Sequence, residues 1–502
     1  MRSTSPRGEP SPSPAAAPGA GPGIGILVVG AAAAACIAVL APPDPAAAQS
    51  LRAGDLPAEA WRSDLRRLER AFPERHLDAF HDMSRHGFEA GLQRLWERVG
   101  ALPDHAVVVR LARVVNRVGD GHSGLRLPSD TALSFRSLPL ELRVFPGGIF
   151  VVAAAPEHAD LVGARLLAVN DLPAAAVFRQ AADLVARDNG MDALAFAPTL
   201  MVMPEVLHAL GVVEEMGSAA LTVEGADGRR RTVALSPREG PFRLQGHSSL
   251  DRRAEEGGWP RLLASGGGEP PLLFRDRDRP VTVEWLPDRR AVYLRVEEMA
   301  DTEEATFAES VERGLALAAS RDAERFVVDL RWCRGGNGYL IRPLVLGLLK
   351  SDLDREGRLF VLVGRRTFSA GQMLVNELET LSHAVFVGEP TANRPNMYGD
   401  NEKIVLPESG LTVRAAYLRW QQRDPRDDRA CTEPHVHAPF TVEAWREGRD
   451  PALEAALAWT SGGEGPGEPG PESPSEATAA GPGGVYETYL CRDGGLRTGT
   501  IF

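Results

Sequence analysis

An α/β fold is predicted for this chain of 502 residues, on three observations. Short apolar and β-branched runs recur between residues 275 and 460: AVYLRV, RFVVDLRW, LFVLVG and AVFVGE. A helical pattern lies between the first two, near 304–320, and another follows Ser369. Strand–helix alternation of this kind builds a mixed sheet flanked by helices. The third observation is composition: 43% hydrophobic and 25% charged residues, ordinary globular values that allow a sizeable core and two to four domains of about 100–200 residues each.

The elements before that core read differently. In residues 50–130, Leu65, Leu68, Ala71 and Phe72 recur at helical spacing, as do Phe88, Leu92, Leu95 and Trp96. Residues 106–118 continue the helical pattern, which ends in the glycine-rich turn Gly119-Asp120-Gly121-His122-Ser123-Gly124. Residues 137–238 change character. LELRVFPGGIFVV reads as two strands around Pro146-Gly147-Gly148, ARLLAVNDLP as a strand and turn before a helix over 174–185, and ALTVEGADGRRRTVAL as a hairpin through Asp227-Gly228. That order resembles a PDZ-like module. Residues 237–273 are polar and glycine-rich, a linker or surface loop.

Both ends are compositionally distinct. Residues 1–48 carry Arg2 and Arg7, an apolar run over 23–42 and Ala46-Ala47-Ala48 before Gln49. This is the pattern of a signal peptide with its small-residue cleavage site. The run also matches the roughly 20 residues that span a bilayer, so an uncleaved anchor that associates with the membrane is the rival reading. Either one puts the folded part outside the cytoplasm, periplasmic or secreted. Residues 461–502 form a low-complexity tail; Gly, Pro, Ser, Glu and Ala over 461–484 predict disorder.

Charge and cysteines exclude several classes. A net charge of -12 argues against nucleic acid as a partner, which wants a basic face. Without Cys36 of the apolar run, Cys333, Cys431 and Cys491 remain, and no CxxC pair exists. One disulfide among the three is allowed, with the pair left open. Cys431, His435 and His437 form a C-x3-H-x-H run, and His76, His81 and His86 cluster. Metal ligation is conceivable there, but solvated histidines are the commoner outcome, and no metal or organic cofactor is expected.

Three local patterns carry chemistry. In LFVLVGRRTFSAGQMLVNELE, Ser369 stands where a strand turns into a helix, exposed at the sheet edge beside a helix N-terminus. That suits a nucleophile, although serine is also a common helix cap. In RFVVDLRWCRGGNGYL, Gly335 and Gly336 end a buried-looking strand and can bring N–H groups to a reacting carbonyl as an oxyanion hole. His122, on its glycine-flanked turn, has the pKa of a general base. Cys333 is a conceivable nucleophile that nothing in its surroundings marks as activated.

Taken together, FVVDLR, Gly335-Gly336-Asn337, GRRTFSAGQ and VGEPTANRPNMYGD, in this order and spacing, resemble the catalytic core of the tail-specific (C-terminal-processing) serine peptidases. GDGHS and RDDRACTEPHVHAPFTVEAWREGRDPALEAAL extend the likeness to residues 70–458, strongest over 285–458. The resemblance implies a peptidase core over 275–460 built from crotonase-like ββα units, peptide recognition by strand addition in the PDZ-like module, and protein or peptide substrates. One family design uses a lysine roughly 25 residues after the serine. Arg394 stands there and cannot act as a base, and neither lysine of the chain, Lys350 or Lys403, falls at that position. The tricorn-like Ser–His branch fits instead. It implies Ser369 as nucleophile, His122 as base, and oxyanion donors from Gly335, Gly336 and Ala370. Its acid, roughly 60 residues after the serine, falls on Asp428, with Asp427 and Glu433 as alternatives. Cys333-Arg334 and Pro434-His435 depart from the usual family residues. Because fold does not fix function, a non-catalytic carrier of hydrophobic ligands on the same fold is the alternative. Oligomeric state, cleavage specificity and the role of the C-terminal tail stay open.

Overall fold

The computed structural model describes residues 56–128, 135–240, 242, 257–460 and 484–491. The signal or anchor segment and most of the low-complexity tail lie outside the described residues. The chain begins with helices α1 (Ala58–Arg75), α2 (Arg85–Arg98) and α3 (Asp104–Val115). Trp61, Leu65, Leu68 and Phe72 form one stripe of α1 and pack on Phe88, Leu92 and Leu95 of α2 and on Val107, Val108 and Leu111 of α3. Buried Asp104 accepts the Trp61 Nε1–H at 2.7 Å, closing the start of α1 onto α3.

The middle of the chain folds into an antiparallel sheet with three helices. Its strands are β2 (Leu140–Phe145), β3 (Gly148–Ala154), β4 (Arg165–Val169), β6 (Ala219–Glu224) and β7 (Arg230–Leu235), hydrogen-bonded in that order, with β5 (Leu172–Pro173) paired to β4. β1 (Gly124–Leu125) precedes them and belongs to a different sheet. Helices α4 (Ala174–Ala182), α5 (Gly190–Leu200) and α6 (Pro204–Ala209) lie between β5 and β6.

The third part is the predicted α/β core. Its elements run β8 (Val281–Leu286), β9 (Ala291–Val296), α7 (Phe307–Ser320), β10 (Arg325–Asp329), α8 (Arg342–Leu349), β11 (Leu359–Val363), α9 (Ala370–Leu381) and β12 (Val385–Gly388). The hairpin β13 (Asn396–Val405) and β14 (Thr412–Gln421) follows, then β15 (Val436–His437), α10 (Val442–Glu447) and α11 (Pro451–Ala458). The core sheet has the order β15-β12-β11-β10-β9-β8, parallel except for the antiparallel edge strand β8.

Its central strands are apolar throughout because both faces are covered. Phe326, Val328, Leu359, Val361 and Val363 face α7, α8 and α9. The alternate residues Val327, Phe360 and Leu362 face α11, the period of two that a strand imposes. Two consequences position the site. The loops after β10 and β11 leave the sheet side by side, because those strands are parallel neighbours. Meanwhile β1 pairs with β14 through Gly124 and Arg414, which fixes the turn just before β1.

The described end of the chain departs from the expected low-complexity tail. Helix α12 (Gly484–Tyr489) packs its Val485 and Tyr486 into the apolar cluster of the antiparallel sheet, and Cys491 forms a disulfide with Cys431. That settles the open pairing, leaving Cys333 as a free, buried thiol. It also takes Cys431 out of the C-x3-H-x-H run. His435 accepts a hydrogen bond from the Phe386 N–H at 2.9 Å, and His437 shares one with the Tyr486 hydroxyl at 3.2 Å. No helix among the described residues is long and apolar enough to cross a membrane.

Candidate active site

Ser369 lies between β11 and α9, and its surroundings explain its shape. Thr367 ties the turn: its hydroxyl accepts from the Gly364 N–H at 3.0 Å and donates to the Leu330 carbonyl at 2.9 Å. The Phe368 N–H reaches the Cys333 carbonyl, lashing this turn to the loop after β10. Ser369 itself has φ 54° and ψ -124°, a region that L-residues avoid and that costs on the order of 1–3 kcal/mol. It occupies the N-cap position of α9, yet its side chain makes no cap hydrogen bond. Its Oγ is 3.0 Å from His122 Nε2. The strain has a testable size: Ser369→Gly is expected to unfold at higher denaturant than Ser369→Ala, by about 1 kcal/mol. Both variants lack the hydroxyl, so the difference reads the backbone alone.

His122 is carried by the turn before β1, and buried carboxylates shape that turn. Asp120 Oδ1 accepts the N–H groups of His122 at 2.9 Å and Ser123 at 2.6 Å, while Oδ2 is 2.9 Å from His76 Nε2. His76 Nδ1 accepts the Asp78 N–H, so the His76 proton sits on Nε2 and points at Asp120. Burial pushes the Asp120 carboxyl up, but His76, His122 and Ser123 outweigh it and hold it below the usual range. The His122 ring stacks on Phe368, with centroids 4.5 Å apart. Burial pushes its imidazole below the ordinary value, opposed by the charges of Asp188 and Asp120 and reinforced by Arg334 and Arg126. The ring therefore stays neutral, able to accept a proton, to lower pH than a free histidine.

Asp188, just before α5, joins the two turns. Its Oδ1 accepts the Gly121 N–H at 2.7 Å, and its Oδ2 accepts Asn393 Nδ2 at 2.7 Å and the Arg394 N–H at 3.0 Å. Asn393 in turn accepts the Ser369 N–H through Oδ1. One buried carboxylate thus sets the histidine turn, the loop after β12 and the serine backbone. Nothing in the sequence marked Asp188, and Asn393 stood inside the VGEPTANRPNMYGD segment without a role of its own. The Asn189 cap of α5 was the nearest signal, since its side chain accepts from Met191.

Of the two glycines after β10, Gly335 faces the same serine and Gly336 lies against the Met299 backbone. Gly335 has φ 116°, and a Cβ there would lie 2.6 Å from Ser369 Cβ, so only glycine allows the approach. Met299 bridges this loop in parallel register: its N–H donates to the Gly335 carbonyl and its carbonyl accepts from the Asn337 N–H. Such a bridge leaves the Gly336 N–H outside the ladder. No hydrogen bond to another described residue occupies the N–H groups of Gly335, Gly336 or Ala370. Ala370 N would be 3.1 Å from a Cβ on Gly335, so one of these donors lies beside the glycine turn.

The remaining expected residues sit elsewhere. Asp428 is exposed. Asp427 is held by Arg429 at 2.8 Å, and Glu433 is half-buried. None of the three hydrogen-bonds to His122 Nδ1, which is buried without a partner among the described residues. The acid expected at Asp428 therefore does not contact the imidazole; Asp188 and Asp120 are the carboxylates whose charge bears on it. Arg394 contributes its backbone to Asp188, and Lys350 and Lys403 are exposed. Burial pushes the Cys333 thiol up to about 12, which makes it a poor nucleophile. Among the described residues no cluster of His, Cys, Asp or Glu could hold a metal ion.

No protein-family model and no curated protein matches the sequence. Solved structures do match by shape. Mature CPAF complexed with lactacystin aligns at a TM-score of 0.55 and 14% identity, over 80% of this chain and 97% of that one. Mature CPAF alone aligns at 0.54 and 14%, over 80% and 96%. The tricorn protease aligns at 0.37 and 12% identity, over 80% of this chain and 36% of that one. The chain therefore has the fold of CPAF.

Proposed function

We propose that this protein is a serine-type endopeptidase acting on proteins or peptides, with Ser369 as nucleophile and His122 as general base. The observation that carries the reading is the 3.0 Å contact between His122 Nε2 and the Oγ of a strained, non-capping serine. His122 takes the hydroxyl proton as Oγ attacks a peptide carbonyl. The N–H groups of Gly335, Gly336 and Ala370 receive the developing oxyanion, a contribution of about 3–4 kcal/mol where one such donor has been removed. His122 then protonates the leaving amine, and water releases the acyl group. Asp188 takes the part assigned by spacing to Asp428: it acts on the imidazolium by charge and by holding the Gly121 N–H, not through Nδ1.

Residues 137–238, with their open antiparallel sheet, are read as the PDZ-like module that binds extended peptide by strand addition. The Cys431–Cys491 disulfide supports an oxidising, extracytoplasmic setting, in line with the signal-like N-terminus. A fluorophosphonate probe separates the peptidase from a ligand carrier. One phosphonyl group per chain is expected, on the peptide containing Ser369, and none in His122→Ala or Ser369→Ala. A folded wild type that stays unlabelled would leave the carrier reading in place.

A further inference from the structure

Behind the serine turn lies a cluster of arginines whose charges are not all matched. Arg365 and Arg366 directly precede Thr367, and Arg143 faces them from β2. The three line one partly open cavity of about 20 Å³, with Trp332, Glu389 and Phe440. Arg365 is matched: it forms an ion pair with Glu389 at 2.5 Å and donates to the Val144 carbonyl at 2.9 Å. Arg366 is not. It is 3% exposed, and its Nη2 is buried without a partner among the described residues. Its guanidinium instead rests against Trp332 at 4.2 Å and Phe196 at 5.0 Å. Half-buried Arg143 is similar: it lies over Trp445 at 4.4 Å, with Nε buried and unpartnered.

The nearby carboxylates offset these charges only in part: Asp192 and Glu389 act on Arg366 and Arg143 by charge, without a hydrogen bond to either, and their direct partners lie elsewhere. Asp192 binds Arg334 at 2.6 Å, Glu297 binds Arg277 at 2.9 Å, and Asp329 and Asp450 bind Arg331. Burial, then the like charges of Arg334, Arg277 and Arg143, pull Arg366 well below the usual range. Arg143 falls to about 9 through burial and the charge of Arg365. Arginine does not relieve such a site by losing its proton, and buried charges are ordinarily paired.

We infer that this cavity binds a small monoatomic anion, chloride in physiological media, between Arg143 and Arg366. The space suits one ion of about water size. The bound anion would neutralise the two unmatched guanidiniums and stiffen the Gly364–Arg366 turn that leads to Ser369. This inference does not depend on the peptidase reading.

The test is thermal melting of the full chain in sodium chloride, sodium bromide and sodium gluconate at matched ionic strength. A saturable rise on the order of 2 °C or more in the two halides over gluconate is expected, and it should disappear in Arg366→Met and Arg143→Met. In gluconate, Arg366→Met should melt no lower than wild type, since it removes an unmatched buried charge. Equal melting of wild type in chloride and gluconate would overturn the proposal, as would a chloride increment that persists in both variants. Should Arg366→Met not fold, half-buried Arg143→Met carries the comparison. Bromide-soaked crystals of wild type give a direct reading: an anomalous peak between the two guanidiniums supports the site, and a peak-free map rejects it.

Discussion

Arg331→Met is expected to destabilise the protein by about 3–5 kcal/mol, measured by chemical denaturation, and to leave little folded protein at physiological temperature. The reason lies in what the substitution strands. Arg331 contacts Asp329 through Nε and Nη2 and Asp450 through Nη1 and Nη2, at 2.6–3.1 Å. Asp329 is wholly buried, and Asp450 is 6% exposed. Methionine fills the space but leaves two carboxylates facing one another without a cation, supported by the Tyr293 hydroxyl and the residue 331 N–H on Asp329 and by the Leu453 N–H on Asp450. The pair also does architectural work, since it joins the end of β10 to the cap of α11 just before the Trp332–Gly336 loop. A loss under about 1 kcal/mol, the range of exposed pairs, would show that this ion group does not hold the core as described.

Asp188→Asn is expected to lower kcat/KM by about 10²–10⁴-fold while the protein still folds. An amide can keep the Gly121 contact, but its NH2 then meets Asn393 Nδ2 and the Arg394 N–H, donors facing donors. Either the Asn393 link to the Ser369 N–H or the Gly121 link to the His122 turn must give way. The substitution also removes the largest charge favouring protonated His122. The imidazole pKa, already lowered by burial, then falls further, and the acid limb of kcat/KM moves to lower pH. A purely structural role would reduce activity without moving that limb. An unchanged pH profile would therefore reject the electrostatic part of the assignment.

The core strands were legible because parallel strands buried on both faces are apolar without interruption, as in Leu359–Val363. The serine and histidine turns were legible because each follows an element that ends in glycine or a basic turn. The acid was not. Counting roughly 60 residues from the serine crosses the β13–β14 hairpin and the loop after it, segments whose lengths vary freely. The count therefore reaches an exposed aspartate, Asp428. Asp188 acts from a different part of the chain altogether, and no local pattern distinguishes it from any aspartate before a helix. β13 was not read as a strand for a related reason: Asp400, Asn401, Glu402 and Lys403 lie on a half-solvated hairpin and interrupt any apolar run. The C-terminal segment misled in the other direction, because α12 and Cys491 are anchored by Tyr486 and the disulfide although the sequence around them looks like a tail.

The central claim is that Ser369 is a nucleophile set against His122, and its most direct measurement is hydrolysis of an unfolded protein such as casein by the chain from Gln49 onward. Wild type and Ser369→Ala would be compared after thermal melts show both folded. Wild-type turnover reduced by at least about a thousandfold in Ser369→Ala is the predicted result. Turnover that survives in the folded Ser369→Ala protein would contradict it.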